Sequence, residues 1–179
     1  MRRRHLVGPI LCVAPLALLF GTADGPAGSA APGLVPQAER ADLVRVEKAQ
    51  RRLTLLRGGR VLAVYRVSLG FAPIGPKARE GDGRTPEGRY RIAGKNPDSI
   101  AHLALRISYP DAADRAAASA AGVPPGGDIM IHGLRNGFSW VGRLHRLIDW
   151  TDGCVGVTNA EARAIYARVE VGTPIEIRS

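Results

Sequence analysis

Residues 149–161 read DWTDGCVGVTNAE and combine a glycine-containing turn, a short apolar segment and the start of a helix. A glycine directly before Cys154 permits a sharp turn, and CVGV (154–157) predicts a short buried strand. Thr158 and Glu161 have the spacing of a capping box, in which each side chain satisfies a backbone amide of the first helical turn. The stretch therefore predicts a cysteine held between a turn and a strand, with a helix directly after them.

The thiol of Cys154 is expected to remain unpaired. The chain has two cysteines, and Cys12 lies in an N-terminal segment that is predicted to be removed. Free cysteines are often small core residues, and residue type alone leaves that alternative open. In an exported protein, however, an unpaired thiol favours a reactive role. A cysteine nucleophile acts as a thiolate, and with a reference pKa of about 8.5 it needs a base or a cation nearby.

Two histidines are candidate bases for Cys154. His132 ends the apolar strand DIMIHG (128–133) and is followed by Gly133, which places the imidazole at a strand end. A core histidine bonded to a carbonyl group is the alternative interpretation. His145 lies closer to the cysteine in sequence, within an Arg-rich connection. Because a base must keep its geometry through acylation and deacylation, the strand end favours His132.

The remaining chain is rich in predicted strands, so the fold class is mostly β or α+β. Residues 41–70 nearly alternate polar and apolar residues around a Gly58–Gly59 turn, which predicts a β-meander. Residues 71–88 are rich in proline and glycine and predict a long loop. Helices are predicted over 111–122 and from 158 to about 168. Further strands are predicted at 89–95, 103–109, 128–133 and 173–179.

The N-terminus resembles an export signal. MRRRH is a positively charged start, residues 6–20 are apolar, and small residues follow around Ala23. We expect a signal peptide at 1–23, a disordered linker rich in Pro, Gly and Ala at 24–40, and one folded domain at 41–179. A transmembrane anchor is the alternative, but the apolar run is shorter than about 18 residues and is interrupted by proline.

Composition and charge indicate which partners to expect. The formal net charge is +9, which suits an anionic polymer of the cell envelope. The arginines are scattered, and no stripe of basic and aromatic residues indicates nucleic-acid binding, so we predict no nucleic-acid partner. Aromatic residues make up 5% of the chain against 45% for all hydrophobic residues. The core is therefore predicted to consist mainly of Val, Ile, Leu and Ala.

Three motifs follow one another in a specific order: EGDGRTPEGRYRI (80–92), IMIHGL (129–134) and TDGCVGVTN (151–159). In order and spacing they are similar to the L,D-transpeptidase catalytic domain (YkuD-like) family, over roughly residues 42–178. The resemblance implies the β-rich fold of that family, with about two helices. It also implies a cysteine peptidoglycan transpeptidase of the periplasm or cell wall, without a metal or another cofactor.

The resemblance further implies roles for individual residues. Cys154 would be the nucleophile and His132 the general base and acid, with Gly153 in the oxyanion region and Thr151 in support. The predicted substrate-contacting residues are Gly133, Arg84, Thr85, Trp140, Trp150 and His145. Other interpretations stay open for several of them: the two tryptophans as core residues, the GDGRTPEG loop as an ordinary surface turn, and the connection that carries the second histidine as a solvated face or a lid.

Two positions depart from the family pattern. Many members have Arg or Asn two residues after the cysteine, where this chain has Gly156. The change removes a cation that could hold a substrate carboxylate, and it leaves open a variant activity such as hydrolysis. Asp152 occupies the position before Gly153, where His or a small polar residue is common. Its negative charge opposes formation of the Cys154 thiolate.

The predicted reaction is acyl transfer. Cys154 attacks a carbonyl group of a peptidoglycan stem peptide, and the thioester passes to an amine on another stem or on a wall-anchored envelope protein. Hydrolysis by the same site is one alternative. A zinc hydrolase with ligands from His132, His145, Asp149 or Asp152 and the cysteine is another, although the spacing matches no zinc signature. A non-catalytic wall-binding module is the third, and in every case we expect a monomer.

Overall fold

The computed structural model describes residues 30–179, and the predicted signal peptide lies outside them. Eight strands are present: β1 (Leu43–Glu47), β2 (Arg52–Arg57), β3 (Arg60–Arg66), β4 (Gly88–Ser99), β5 (His102–Ile107), β6 (Met130–His132), β7 (Val155–Gly156) and β8 (Pro174–Arg178). The helices are α1 (Ala112–Ala120) and α2 (Asn159–Arg168), with 3-10 segments at Gln37–Glu39 and Ser139–Leu147. The predicted β-rich, α+β fold class is confirmed.

Within residues 30–179, no helix combines the length and the apolar character needed to cross a membrane.

All eight strands belong to one sheet with the order β3-β2-β1-β8-β4-β5-β6-β7. The strand predicted at 173–179 is confirmed as β8, and it lies in the middle of the sheet. It is parallel to β1 and antiparallel to β4. Its alternate residues Ile175 and Ile177 are buried, as expected for a strand whose one face covers the core.

The predicted meander is confirmed, since β1, β2 and β3 pair antiparallel in chain order. The turn between β2 and β3 consists of Gly58 (φ 54°) and Gly59 (φ 78°). Positive φ at both central residues is typical of the two-residue turn that matches the right-handed twist of a hairpin. The glycine pair therefore directs the chain back along β2.

Helix α2 begins where the capping box predicts. The Thr158 side chain accepts a hydrogen bond from the Glu161 amide, and the Glu161 carboxylate accepts one from the Thr158 amide. An N-cap of this kind contributes about 1 kcal/mol to stability. The helix buries Ala162 and Ile165 and packs against β5 and β6. The cap thus fixes the helix start directly after β7.

The hydrophobic core joins one face of the sheet to α2 and is mainly aliphatic, as its composition predicts. Its fully buried members include Val44, Val46, Leu53, Leu55, Leu105, Ile131, Val155, Ile165 and Ile175. Its buried aromatic members among the described residues are Tyr90, Tyr109 and Tyr166, and the first two make an edge-on contact at 5.9 Å.

The segment before β1 differs from the sequence prediction. Residues 24–40 are predicted as a disordered linker, but the later part of this segment packs on the domain. The Val35 amide donates to the Ala167 carbonyl near the end of α2 (3.0 Å), and Arg40 forms an ion pair with Glu170 (2.9 Å). These partners are distant in sequence, so local composition does not reveal them.

A buried lysine fastens the long loop predicted at 71–88. Lys48 follows β1 and is only 2% exposed. Its Nζ donates to the carbonyl groups of Gly75 (2.6 Å) and Thr85 (2.9 Å) and to the Glu87 carboxylate (2.8 Å). A buried ammonium group is costly unless its protons are bonded. Because all three protons have acceptors on this loop, Lys48 holds the loop against the sheet.

Candidate active site

Cys154 and His132 lie on one face of two adjacent strands. Strands β6 and β7 are parallel, with Ile131 beside Val155 and His132 beside Gly156. Ile131 and Val155 are fully buried, and successive side chains of a strand alternate between the two faces of a sheet. His132 and Cys154 each neighbour one of these buried residues, so they share the opposite face. The fold thus brings the predicted base and the predicted nucleophile together.

The turn that carries Cys154 is held by Thr151. Its Oγ1 donates to the Cys154 carbonyl (2.8 Å) and accepts from the Gly153 amide (3.2 Å). Gly153 has φ +130°, and a Cβ there would lie 2.6 Å from the Arg84 carbonyl oxygen, so the position requires glycine. In this structure the Gly153 amide is satisfied inside the turn, and Thr151 fixes the backbone on both sides of the cysteine.

The GDGRTPEG loop packs directly against this turn. A Cβ on Gly70 would lie 2.1 Å from the Gly83 carbonyl oxygen and 3.0 Å from the Gly153 Cα. The Ala72 amide also donates to the Gly83 carbonyl (2.9 Å). Three backbone segments therefore approach one another more closely than a side chain at Gly70 would allow. The loop is part of the wall behind the cysteine, which an ordinary surface turn would not be.

Arg84 and Thr85 are both predicted substrate contacts, and the structure separates them. Thr85 is completely buried; its Oγ1 accepts from the Gly70 amide (3.0 Å), and its carbonyl accepts from Lys48. The prediction for Thr85 is therefore corrected, because a buried side chain supports the loop and does not reach a substrate. The Arg84 guanidinium stays partly exposed and reaches the Pro76 carbonyl at 3.4 Å.

The backbone fixes one nitrogen of the His132 ring. Nδ1 lies 2.7 Å from the Gly133 carbonyl oxygen. Because a carbonyl oxygen only accepts, Nδ1 carries the proton in this contact. Nε2 is then the acceptor nitrogen, which is the form that a general base requires. Burial lowers the pKa of His132, and the hydrogen bond to Gly133 partly offsets this effect.

Gly133 is also a predicted substrate contact, but the structure places it behind the base. It is buried, and a Cβ there would lie 2.7 Å from the Asn159 Oδ1 atom. The same oxygen accepts from the Leu134 amide (2.8 Å). The first residue of α2 therefore fixes the segment whose carbonyl orients His132. The carbonyl of Gly133 thus orients His132, and a contact of Gly133 with substrate stays a prediction.

The thiol of Cys154 is half-buried and donates to the Asp128 carbonyl at 3.6 Å. Burial raises its pKa, and a hydrogen bond from the Met130 backbone acts in the opposite direction. The charges of Asp152 and Asp128 raise this pKa further, whereas the charge of Lys77 lowers it. Asp152 therefore opposes the thiolate, as its position in the sequence indicates.

The two pKa shifts have one consequence for the resting site. The lowered pKa of His132 keeps the imidazole neutral at pH 7, and the raised pKa of Cys154 keeps the thiol protonated. The resting pair is therefore a thiol and an imidazole. These shifts do not favour a preformed thiolate–imidazolium pair. Such a thiol reacts when a base removes its proton during the attack.

Trp150 lies between His132 and His145. Its ring centroid is 5.7 Å from that of His132 and 6.3 Å from that of His145, and both contacts are edge-on. His145 is 5% exposed; its Nδ1 and its carbonyl oxygen lie 3.1 Å and 2.9 Å from the Ser68 Oγ, which donates its one proton to one of them. The prediction of a substrate contact is therefore corrected for His145, which supports the connection from inside.

The two tryptophans differ in exposure. Trp140, in the 3-10 segment Ser139–Leu147, is 76% exposed. The interpretation of Trp140 as a core residue is therefore wrong. Trp150 is partly buried. The 3-10 segment is anchored on its inner side, where Arg146 forms an ion pair with Glu161 of α2. A place for both rings along a substrate cleft stays a prediction.

Lys77 and Asp82 form a buried ion pair that sequence reasoning missed, and the charge of Lys77 acts on Cys154. Their side chains are 3% and 9% exposed and form an ion pair at 2.8 Å. Burial by itself would raise the pKa of Asp82, but hydrogen bonds from Lys77 and from the amides of Ala78, Arg84 and Arg79 lower it to about 2. The only local signal is an acidic residue between two glycines in GDG, which is common in plain turns.

The zinc alternative finds no support in the arrangement of its candidate ligands. Asp149 accepts from the Leu69 amide (2.9 Å) and pairs with Arg51 (2.8 Å), and His145 is bonded to Ser68. Across residues 30–179 there is no group of three or more His, Cys, Asp or Glu side chains placed to hold a metal ion. The reactive groups on the shared face of β6 and β7 are the thiol of Cys154 and the imidazole of His132.

The Thr151 hydroxyl can be removed at nearly constant volume. Thr151→Val leaves the Gly153 amide and the Cys154 carbonyl without their partner, so we expect the free energy of unfolding to fall by about 1–3 kcal/mol. Chemical denaturation measures the change. Thr151→Ser retains the hydroxyl and should restore most of the stability, and equal stabilities for valine and wild type would contradict a clamp.

The base can be identified by alkylation of Cys154 with iodoacetamide across pH. His132→Ala should slow the reaction at pH 6–7 far more than His145→Ala does, because Nε2 of His132 takes the thiol proton. In the wild type the lowered pKa of His132 keeps the imidazole neutral to a pH below its reference pKa of 6.5, and the raised pKa of Cys154 moves formation of the free thiolate to a pH above the reference value of a thiol. Base-assisted reaction should therefore span this interval.

In His132→Ala the alkylation profile should follow the titration of the thiol alone. If wild type and His132→Ala gave the same profile, while His145→Ala lost reactivity at pH 6–7, the role of base would pass to His145.

The comparisons with known proteins concern the family and the fold. The family model of the L,D-transpeptidase catalytic domain (YkuD) matches residues 41–177. The putative L,D-transpeptidase YafK of Escherichia coli (strain K12) is 36% identical over 75 residues, which cover 41% of this chain and 28% of that protein.

Two solved structures show the likeness in fold. The helical cell shape determining protein Pgp2 from Campylobacter jejuni has a TM-score of 0.58 at 24% identity, over 75% of this chain and 46% of that one. An L,D-transpeptidase from Mycobacterium smegmatis has a TM-score of 0.51 at 18% identity, over 76% and 58%. This chain thus spans about half the length of these structures. Since the family model covers most of the sequence, the chain belongs to the L,D-transpeptidase catalytic domain family.

Proposed function

We propose that the protein is an exported cysteine acyltransferase that acts on peptidoglycan stem peptides. Membership of the family supports an enzyme of the transpeptidase type, and one structural neighbour is described as a cell shape determining protein. The observation that carries the proposal is the shared face of β6 and β7. There, the half-buried thiol of Cys154 lies diagonally from an imidazole whose Nδ1 proton is held by the Gly133 carbonyl.

In the first half of the reaction, the sulfur of Cys154 attacks a peptide carbonyl carbon while His132 Nε2 takes the thiol proton. The tetrahedral intermediate then collapses, the C–N bond breaks, and the imidazolium gives its proton to the departing amine. The amides of Gly153 and Cys154 are the proposed oxyanion donors, each worth about 3–4 kcal/mol. The Gly153 amide would exchange its Thr151 partner for the oxyanion.

In the second half, an acceptor releases the acyl group from the enzyme. A side-chain amine of another stem peptide, or of a wall-anchored protein, attacks the thioester carbon. His132 takes a proton from this amine and returns it to sulfur as the C–S bond breaks. The products are a new amide and the resting thiol, so no cofactor is required.

Water is the second candidate acceptor. Gly156 favours it, because the position two residues after Cys154 presents no side chain to hold the carboxylate of a peptide. The chemistry up to the thioester is the same in both cases. The acceptor therefore decides between transpeptidase and hydrolase, and product masses separate the two.

Export is part of the proposal. The charged start, the short apolar run and the small residues around Ala23 support a cleaved signal peptide, and the substrate lies outside the cytoplasmic membrane. The mature enzyme would then act in the periplasm or cell wall.

Cys154→Ala tests the nucleophile. Incubation of the domain with purified muropeptides should give a covalent acyl-enzyme in intact-protein mass spectra of the wild type and none in the variant. The free energy of unfolding should change by no more than about 1–2 kcal/mol, since the side chain is small and half-buried. Turnover of muropeptides by the alanine variant would overturn the assignment.

The product masses of the same incubation identify the acceptor. Joined stem peptides indicate amine acceptors, and shortened stems that end in a free carboxyl group indicate hydrolysis. If the folded wild type bound muropeptides but never formed an acyl-enzyme, the result would contradict the acyltransferase and support a non-catalytic wall-binding module.

Export is tested by the N-terminus of protein purified from the cell envelope. We expect removal of the first 23 to 31 residues, because a short apolar run followed by small residues is the pattern that signal peptidases cut. Mass spectrometry of the intact protein gives the terminus directly. An intact Met1 would instead favour a membrane anchor.

A further inference from the structure

We propose that Trp150 is a positioning residue for the base His132, and that position 156 is glycine because the indole of Trp150 occupies the space beside it. The inference rests on the proposed roles of Cys154 and His132. It accounts together for a partly buried tryptophan next to the active-site turn and for the Gly156 departure from the family pattern.

The first step is the contact between the two rings. Trp150 meets the imidazole of His132 edge-on, with centroids 5.7 Å apart and planes inclined by 74°. Aromatic rings at such distances and angles attract one another. The hydrogen bond from Nδ1 to the Gly133 carbonyl fixes one edge of the imidazole. The indole contacts the imidazole from a second direction and limits rotation of the imidazole ring, so that the orientation of Nε2 is fixed.

The second step concerns what holds the tryptophan. Its Nε1 donates to Nδ1 of His145 at 3.4 Å, and the two rings are edge-on at 6.3 Å. His145 is itself buried and bonded to Ser68. The neighbouring backbone is fixed as well, because the Thr151 amide donates to the Leu69 carbonyl (3.1 Å). The indole therefore has a defined place, which a positioning role requires.

The third step concerns Gly156, which lies beside His132 across the β6–β7 pair. A Cβ at this position would lie 3.0 Å from Cζ2 and 3.4 Å from Cε2 of Trp150. A methyl group would therefore push the indole by a few tenths of an ångström, and a long side chain would displace it. The indole can therefore occupy this position only because residue 156 has no side chain.

The contact also gives the indole a chemical effect on the base. By covering the imidazole, the ring contributes to the burial that lowers the pKa of His132. Its removal should admit water and move this pKa up towards the reference value of 6.5. If Trp150 only stabilised the fold and did not cover the imidazole, its removal would leave the pKa of His132 unchanged.

The test compares Trp150→Ala, Trp150→Phe and Gly156→Ala with the matched control Leu147→Ala, an exposed apolar residue of the same connection. The readouts are the rate of Cys154 alkylation at pH 7 and the pKa of His132 by NMR titration of the folded domain. Trp150→Ala should slow alkylation about tenfold to a hundredfold, as expected for a base that loses its aim, and should raise the pKa. Trp150→Phe should retain most of the rate, and Leu147→Ala all of it.

A double-mutant cycle decides whether Trp150 and Gly156 act through each other. Gly156→Ala should slow alkylation in the wild type and have almost no effect in Trp150→Ala, because the displaced ring is already absent. Additive effects would overturn the link between the two positions. An unchanged rate and an unchanged His132 pKa in Trp150→Ala would overturn the positioning role. If Trp150→Ala failed to fold, Gly156→Ala and Trp150→Phe would still give both readouts.

These measurements need no peptide substrate, so they separate this inference from the proposed function. If His132→Ala left alkylation unchanged, the proposed base would be wrong. If His132→Ala slowed alkylation and Trp150→Ala did not, only the positioning role would be wrong.

Discussion

The parallel pairing of β6 with β7 places Cys154 on the same face as His132, and it consists of only two residue pairs. So short a pairing is not stable alone, and the surrounding structure supplies what it lacks. Ser68 exchanges two backbone hydrogen bonds with Gly156 (2.8 and 3.0 Å), and the Val157 amide donates to the His132 carbonyl (3.0 Å). The capped start of α2 follows at once, and the Thr151 clamp precedes Cys154. The site is therefore rigid because each end of a two-residue strand is fixed separately.

The features that sequence predicted are those with local causes. The Gly58–Gly59 turn, the capping box of α2 and the glycine before Cys154 each follow from a few neighbouring residues. The central place of β8 did not follow, because its partners β1 and β4 lie far away in the chain. Burial is likewise a tertiary property, so Thr85 and His145 read as accessible polar residues in the sequence and are buried in the fold.

Charged and neutral groups have separate places around the site. The loop behind the cysteine is held by two buried lysines, and each has a full set of oxygen acceptors or a carboxylate partner, which a desolvated ammonium requires. On the reacting face, burial instead favours the uncharged forms of Cys154 and His132. Proton transfer between them creates two opposite charges at once. Burial has the largest effect on the pKa of Cys154; among the fixed charges, Asp152 and Asp128 raise this pKa and Lys77 lowers it.

The structure gives a physical reason for the glycine at position 156. From sequence alone, a missing cation reads as a lost contact to a substrate carboxylate. In the structure the space beside Gly156 is filled by the edge of Trp150, whose indole also meets His132. The wall next to the base is consequently apolar and uncharged. An uncharged wall disfavours a carboxylate there, since the anion would lose water without gaining a partner. Under the proposed function, a donor peptide that binds on this face would therefore direct its charged groups elsewhere.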